Sequence, residues 1–342
     1  MKSLKVLFVV GTRPNFVKIT QFFNQTLTQD AVEYRLVHTG QHYDAQLSDS
    51  FFQQFGIVPD YFLNIGQGTP SRQIADVIRG IEDVLKRYQA DIVMAVGDVN
   101  STLAAAVAAN KCGIKVAHIE SGLRSYDRSM PEEINRVAVD HIADYLFVTE
   151  QSGIDNLLKE GIQQERMFLV GNTMIDTLVA YNRQICASQI LDKLQLDKGN
   201  YGLVTIHRPS NVDRKTDLVR TVELLNVAAQ TRKILFPVHP RTAQKMRAFG
   251  LNSGIEVDSH VILCEPLSYF DFQHLLMHSQ FVLTDSGGIQ EETTFRQKPC
   301  ITLRPNTERP ITLTEGTNVL CDFTPEAVSA HIQSIDSGYF KQ

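Results

Sequence analysis

No two of the five cysteines, Cys112, Cys186, Cys264, Cys300 and Cys321, are spaced as a CxxC pair, and their number is odd. Neither a disulfide framework nor a zinc site is supported, and a reducing compartment fits best. No apolar run approaches the roughly 18 residues needed to cross a bilayer. The N-terminal "LKVLFVV" is too short for the apolar region of a signal peptide and leads directly into Gly11 and Arg13, so a cytoplasmic protein is expected. A net charge of -5 and a pI near 6.1 give no general attraction to nucleic acid or to anionic membranes. Any anion site must therefore be built locally. The chain also lacks a Walker loop, a GxGxxG fingerprint, low-complexity segments and short-period repeats.

What the 342 residues do contain is 43% apolar side chains, enough for more than one core. Short β-branched runs alternate with amphipathic stretches: "LKVLFVVGT", "YRLVHTG", "DIVMAVGD", "KVAHIES", "DYLFVTE" and "MFLVGN". Continuous apolar strands are those covered on both faces, which predicts a parallel sheet with helical crossovers. The polar "QLDKGNY" then introduces a second series, "GLVTIH", "KILFPVHP", "HVILCEPL", "FVLTDSGG", "PCITLR" and "TNVLC". The expected class is α/β, with two Rossmann-like doubly wound domains, residues 1–180 and 181–342, facing a cleft. In such sheets ligands sit at the carboxyl ends of the strands.

The strand ends are chemically loaded. "GTRPNFVK" places Arg13 and Lys18 near a helix start, a position that favours anions, although an ordinary Gly-Pro turn with surface cations reads the same way. "FVLTDSGGIQEE" runs into Asp285, Ser286, Gly287 and Gly288, where two glycines allow close approach of a ligand and Ser286 is expected to cap the helix. Glu291 and Glu292 are expected in that helix's first turn, as acceptors for ribose hydroxyls or simply as complements to the helix dipole. His207 with Arg208, His239 with Arg241, and Arg304 with Arg309 give a basic rim. The first series ends instead in acids: Asp98, Glu120, Glu132 and Glu133. Asn100 or Ser101 can cap the helix after Asp98, Asp98 itself fits an N-cap or a metal ligand, and Glu132 and Glu133 suit a helix start. Phosphate-type turns on one wall and carboxylates on the other describe a site for a nucleotide sugar, with the acids transferring protons.

These segments carry a specific resemblance. "GTRPNFVK", "HTGQHYD", "GDVNST", "HIESGLRSYDRSMPEEINR", "VGNTMIDTL", "HRPSNVD", "TDSGGIQEE" and "TERP" occur in the order seen in the non-hydrolysing UDP-N-acetylglucosamine 2-epimerases. The resemblance spans Gly11 to Pro310. It implies a glycosyltransferase-B type fold, no cofactor, no metal and reversible conversion of UDP-N-acetylglucosamine to UDP-N-acetylmannosamine. UDP would be eliminated to a 2-acetamidoglucal and re-added after C2 is reprotonated on the other face. By the same resemblance Asp98, Glu120, Glu132 and His207 are the catalytic set. Arg13, Lys18, Phe272, Ser286, Gly287, Gly288, Glu292 and Arg309 bind the substrate. The expected partners are the nucleotide sugar and a second copy of the chain as a homodimer, with no nucleic acid and no membrane.

Departures from the family pattern are Asn15 for a glutamate, Leu267 for a glutamine near uracil, and "QHYD", with Tyr43 in place of the arginine of an allosteric substrate site. The chain also stops at Gln342, short of the loop and final helix with which the family usually continues. Alternative readings are a 2-epimerase of a UDP-2,3-diacetamido uronic acid, a hydrolysing epimerase or retaining glycosyltransferase on the same fold, and a non-catalytic nucleotide-sugar sensor. Within "HIESGLRSYDRSMPEEINR", Glu120 and Glu132 are expected at the sugar. Asp127, Arg128, Glu133 and Arg136 are expected to hold the loop, and Arg124 has no assigned role.

Overall fold

The β-branched runs form strands where both faces are covered by helices. In a computed structural model, residues 3–24, 31–40, 51–66, 68–238, 240–250 and 258–341 are described, the side chains of residues 209, 210, 240 and 241 apart. Tyr43 and the rest of "QHYD" lie outside the described residues, as does His239. The chain divides into two units, Met1–Ala180 and Tyr181–Gln342.

In the first unit, seven parallel strands lie in the order β3-β2-β1-β4-β5-β6-β7. They are β1 Leu4–Val10, β2 Val32–His38, β3 Tyr61–Phe62, β4 Ile92–Val96, β5 Lys115–Ser121, β6 Tyr145–Val148 and β7 Met167–Leu169. The two-residue β3 is the one strand among them that the sequence pattern does not announce, being too short for periodicity to register. In the second unit six parallel strands lie in the order β10-β9-β8-β11-β12-β13. These are β8 Tyr201–Thr205, β9 Lys233–Pro237, β10 Val261–Cys264, β11 Phe281–Thr284, β12 Cys300–Thr302 and β13 Asn318–Leu320. The parallel, doubly wound α/β architecture expected from the apolar runs is what forms.

Local chemistry sets the helices that cover these sheets. Pro70–Tyr88 starts on Thr69, whose side chain accepts from the Arg72 amide, and stops at Gln89 in the left-handed conformation. Its buried stripe, Val77, Ile81, Val84 and Leu85, has helical spacing. Against it packs Asn100–Lys111, whose buried Ala104, Ala105, Ala106, Ala108 and Ala109 let the two helices approach closely. On the sheet's other face Phe8 meets the rings of Phe22, Phe23 and Tyr34. Removing such a fully buried ring typically costs about 3–5 kcal/mol. Thus each unit has its own core.

Both orders reverse direction at one place, between β1 and β4 in the first sheet and between β8 and β11 in the second. Helices leave the two strands toward opposite faces there, which opens a crevice at their carboxyl ends. The loops leaving β1, β4, β8 and β11 carry Arg13, Asp98, His207 and Ser286, four of the residues singled out from the sequence.

Candidate active site

In the first unit, β1 leads into the short helix Arg13–Val17, with Pro14 in its first turn. Arg13 lies over the Phe51 ring at 5.9 Å. Lys18 stands just past the end of this helix and is buried. Its ammonium group pairs with the Glu120 carboxylate, also buried. Asn15 is fixed between them and β4, donating to the Val96 carbonyl at 3.0 Å and accepting from the Thr12 hydroxyl at 2.8 Å.

Glu120 owes its position to the backbone. The β5–β6 register shifts between Ile119 and Ser121, so Glu120 is a bulged residue, and its φ of 71° is left-handed. A non-glycine residue held there costs on the order of 1 kcal/mol and persists only where the surroundings over-determine it. Gly97, φ 70°, makes room for the cluster: a Cβ there would lie 2.7 Å from Asn15 Nδ2 and 3.4 Å from Lys18 Nζ. Lys18, Asn15, Gly97 and Glu120 therefore converge, although they come from three strand ends.

Asp98 follows Gly97 and is half-buried. Helix Pro131–Ile142 holds it twice: Asn135 Nδ2 donates to its carbonyl at 2.9 Å, and the Arg136 guanidinium pairs with its carboxylate. Adjacent glutamates on this helix have opposite surroundings. Glu132 is exposed. Glu133 is buried and accepts from the Ser125 amide at 3.0 Å, the Ser125 hydroxyl at 2.9 Å, the Tyr126 amide at 2.8 Å and Arg136 Nη1 at 2.8 Å. Glu133 thereby ties the loop after β5 to the helix that carries Glu132. Neither Asn100 nor Ser101 caps its helix. The cap residue is Val99, and the two polar side chains bond instead to Asn135 and to Thr39 across the strand ends.

In the second unit, buried Asp285 organises the carboxyl ends of β8 and β11. Its carboxylate accepts from the amides of His207 (3.0 Å) and Arg208 (2.9 Å) and from Asn211 Nδ2 (2.9 Å), and its carbonyl accepts from Arg208 Nε at 2.8 Å. His207 Nδ1 lies 3.2 Å from the same carboxylate, while the ring stays 43% exposed and can reach a ligand. Ser286 precedes helix Gly287–Phe295, but its hydroxyl makes no capping bond, contrary to expectation. That leaves the first-turn amides for a ligand.

Because the helix begins at Gly287, Glu291 and Glu292 sit in its second turn, not its first. They cannot serve as first-turn dipole complements. Glu291 pairs with Arg309 at 2.6 Å, and Glu308 holds both Arg309 and, at 2.8 Å, Arg304. The late arginines expected as a bare basic rim are thus buried in a carboxylate cluster. Gly287 is required beside it: a Cβ would lie 2.5 Å from Arg309 Nη1 and from Glu308 Oε1. Gly288 follows on the same turn. Glu292 is buried, and burial pushes its carboxyl up to about 7, opposed by a hydrogen bond from Gln273 and reinforced by the Glu291 charge. Nearby Tyr269 is raised well above the usual phenol range, by burial first and then by Glu292. Phe272, on helix Tyr269–His278, is half-buried and packs against the core, as do Leu267 and Ile289.

Two features had no sequence signal strong enough to single them out: Asn135 as a holder of Asp98, and Asp285's role as a hub. The three-residue spacing of Glu133 and Arg136 on one helix face is the one cue available in advance. Among the described residues no group of His, Cys, Asp or Glu is placed to hold a metal ion. No helix among them is long and apolar enough to cross a membrane.

Comparison with known proteins places these features in context. A family described as UDP-N-acetylglucosamine 2-epimerase matches residues 25–341. A UDP-N-acetylglucosamine 2-epimerase of Methanococcus maripaludis is 39% identical over 95% of this chain and 89% of that relative. A UDP-2,3-diacetamido-2,3-dideoxy-D-glucuronate 2-epimerase of Pseudomonas aeruginosa is 38% identical over 93% of this chain and 88% of that relative. The structure of the Methanocaldococcus jannaschii UDP-GlcNAc 2-epimerase in complex with UDP-GlcNAc and UDP superposes with a TM-score of 0.90 at 36% identity, covering 99% of this chain and 94% of that one.

Proposed function

Since the chain belongs to the UDP-N-acetylglucosamine 2-epimerase family, we propose that it interconverts UDP-N-acetylglucosamine and UDP-N-acetylmannosamine by eliminating and re-adding UDP. The observation that carries this reading is the placement of Lys18, Asp98 and Glu120 at the carboxyl ends of the neighbouring strands β1, β4 and β5, with both acids fixed by other side chains.

The chemistry explains the residue types. C2 has no strongly acidifying neighbour, so its proton leaves only if the C1–O bond breaks as well. A carboxylate takes the C2 proton, the C–H electron pair becomes the C1=C2 bond, and the C1–O pair departs with UDP as an anion. Re-addition needs a proton delivered to the opposite face of C2 while the UDP oxygen closes back on C1. Two acids are therefore needed, on separate backbone segments. Asp98 and Glu120 meet that requirement, and exposed Glu132 is a third acid beside Asp98's holder, Arg136. Lys18 supplies the countercharge for Glu120.

In this reading the second unit holds UDP. The helix-start amides at Gly287 and Gly288 take the pyrophosphate with Ser286, His207 and Arg309, Glu292 accepts from the ribose, and Phe272 lies toward uracil.

The test is turnover of UDP-N-acetylglucosamine in heavy water. Deuterium should enter C2 of both epimers; retention of protium at C2 after turnover rules the elimination out. The similarity to the Pseudomonas diacetamido-glucuronate enzyme supports a second substrate reading. Running both UDP-sugars side by side separates the two by which one is epimerised.

A further inference from the structure

Arg124, the arginine of the loop after β5, belongs to a buried chain of charged groups that none of the chemistry above uses. Its guanidinium binds Glu160 through two hydrogen bonds of 2.7 Å, and Nη1 donates at 2.7 Å to Asp140 Oδ2. Asp140 is fully buried. Burial alone would raise its carboxyl, but His118 and Arg124 outweigh that and hold it below the usual carboxylate range.

From Asp140 two bonds run to backbone that matters. Oδ2 accepts from the Gly122 amide at 3.1 Å, two residues beyond Glu120. Oδ1 lies 2.6 Å from His118 Nδ1, and His118 Nε2 lies 2.7 Å from the Gly97 carbonyl, one residue before Asp98. A carboxylate and a carbonyl are both acceptors, so each ring nitrogen of His118 must donate.

The two turns need such bracing. Gly97 and Gly122 have φ of 70° and 82°, Glu120 between them on β5 has 71°, and a Cβ at Gly122 would strike the Gly153 carbonyl at 2.5 Å. Glycine takes such φ freely at Gly97 and Gly122, but left-handed backbone at Glu120 is held only if the surroundings leave no alternative.

We propose that Asp140 is a positioning residue for the sugar chemistry, fixing through His118 and Gly122 the two backbone turns that carry Asp98 and Glu120. This rests on the function proposed above. One buried carboxylate thereby sets the separation of the two acids; His118 and Arg124 hold that carboxylate ionised, and Glu160 holds Arg124 in place. Misplacing a reacting group by about 1 Å costs about 100-fold in rate.

The experiment compares the full-length protein with Asp140→Asn, which keeps the side chain's shape, and with His118→Asn, which cuts only the branch to Gly97. Bound UDP, titrated calorimetrically, counts folded molecules. Per folded molecule kcat should fall roughly 10- to 100-fold, with KM and UDP affinity unchanged. A kcat within about twofold of wild type in a folded variant overturns the proposal, since a purely structural role would move only the melting temperature or the folded fraction. Should wild type fail to exchange deuterium into C2, the proposed reaction falls. Displacement of the Asp98 and Glu120 amide resonances in Asp140→Asn would still show whether Asp140 fixes these turns.

Discussion

Lys18 and Glu120 form a buried ion pair between residues 102 positions apart, joining the turn after β1 to the bulged end of β5. Both groups are buried, so each charge compensates the other where water cannot.

Removing one partner should therefore be worse than removing both. Lys18→Met is expected to destabilise the protein by about 3–5 kcal/mol, because the buried Glu120 carboxylate loses its ammonium partner. The double variant Lys18→Met/Glu120→Gln should recover most of that loss in urea denaturation, while remaining inactive. Equal destabilisation of the single and double variants would contradict the pairing.

The neighbours Glu132 and Glu133 should separate cleanly. Glu133→Gln disturbs a buried carboxylate with four donors and is expected to lower stability by about 2–4 kcal/mol. Glu132→Gln, on an exposed residue, should leave the unfolding midpoint within about 0.5 kcal/mol of wild type and reduce turnover. Differential scanning calorimetry beside an epimerisation assay checks both. Asp98→Asn belongs with the second behaviour, at roughly 100- to 10,000-fold in rate.

Glu292 makes stability depend on pH in a stated direction. Its carboxyl, pushed up to about 7 by burial, binds a proton more tightly when folded than when unfolded. The unfolded value is the ordinary 4.5. Its stabilising contribution is therefore full below about pH 4.5 and is lost as the pH rises through about 7, a swing of about 3 kcal/mol. Denaturation at pH 5 and pH 8 should show wild type losing more stability than Glu292→Gln over that interval. If the ionised carboxylate accepts from ribose, UDP binding near pH 6.5 should release protons, seen as a buffer-dependent binding enthalpy.

Gly287→Ala tests the carboxylate-arginine cluster. The new methyl would meet the ends of Arg309 and Glu308 at 2.5 Å, so these side chains must shift at a cost of about 1–3 kcal/mol. UDP affinity is expected to drop about tenfold or more with the fold retained; unchanged affinity would remove Arg309 and this turn from the binding role.

The sequence by itself determined the two parallel α/β units and which strand ends carry acids and which carry phosphate-type turns. Period and composition suffice for that, because an apolar run of five residues bounded by polar turns has few other places to go. It also separated Glu133 and Arg136, as loop holders, from the acids proposed for the sugar.

Only the tertiary structure decided what each charge faces. "LRPNTERP" reads as part of a basic rim, yet Arg304 and Arg309 are buried against Glu308 and Glu291. Ser286 has a capping residue's identity and position, but its hydroxyl makes no capping bond. Lys18 reads as a phosphate-facing cation and is buried on Glu120; Asp140, which nothing in the sequence singles out, is the hub beneath two strand ends. Such pairings join residues tens of positions apart and depend on sheet order and on left-handed backbone at Gly97, Glu120 and Gly122. Local propensity carries no information about either, because they are fixed by which strands lie side by side.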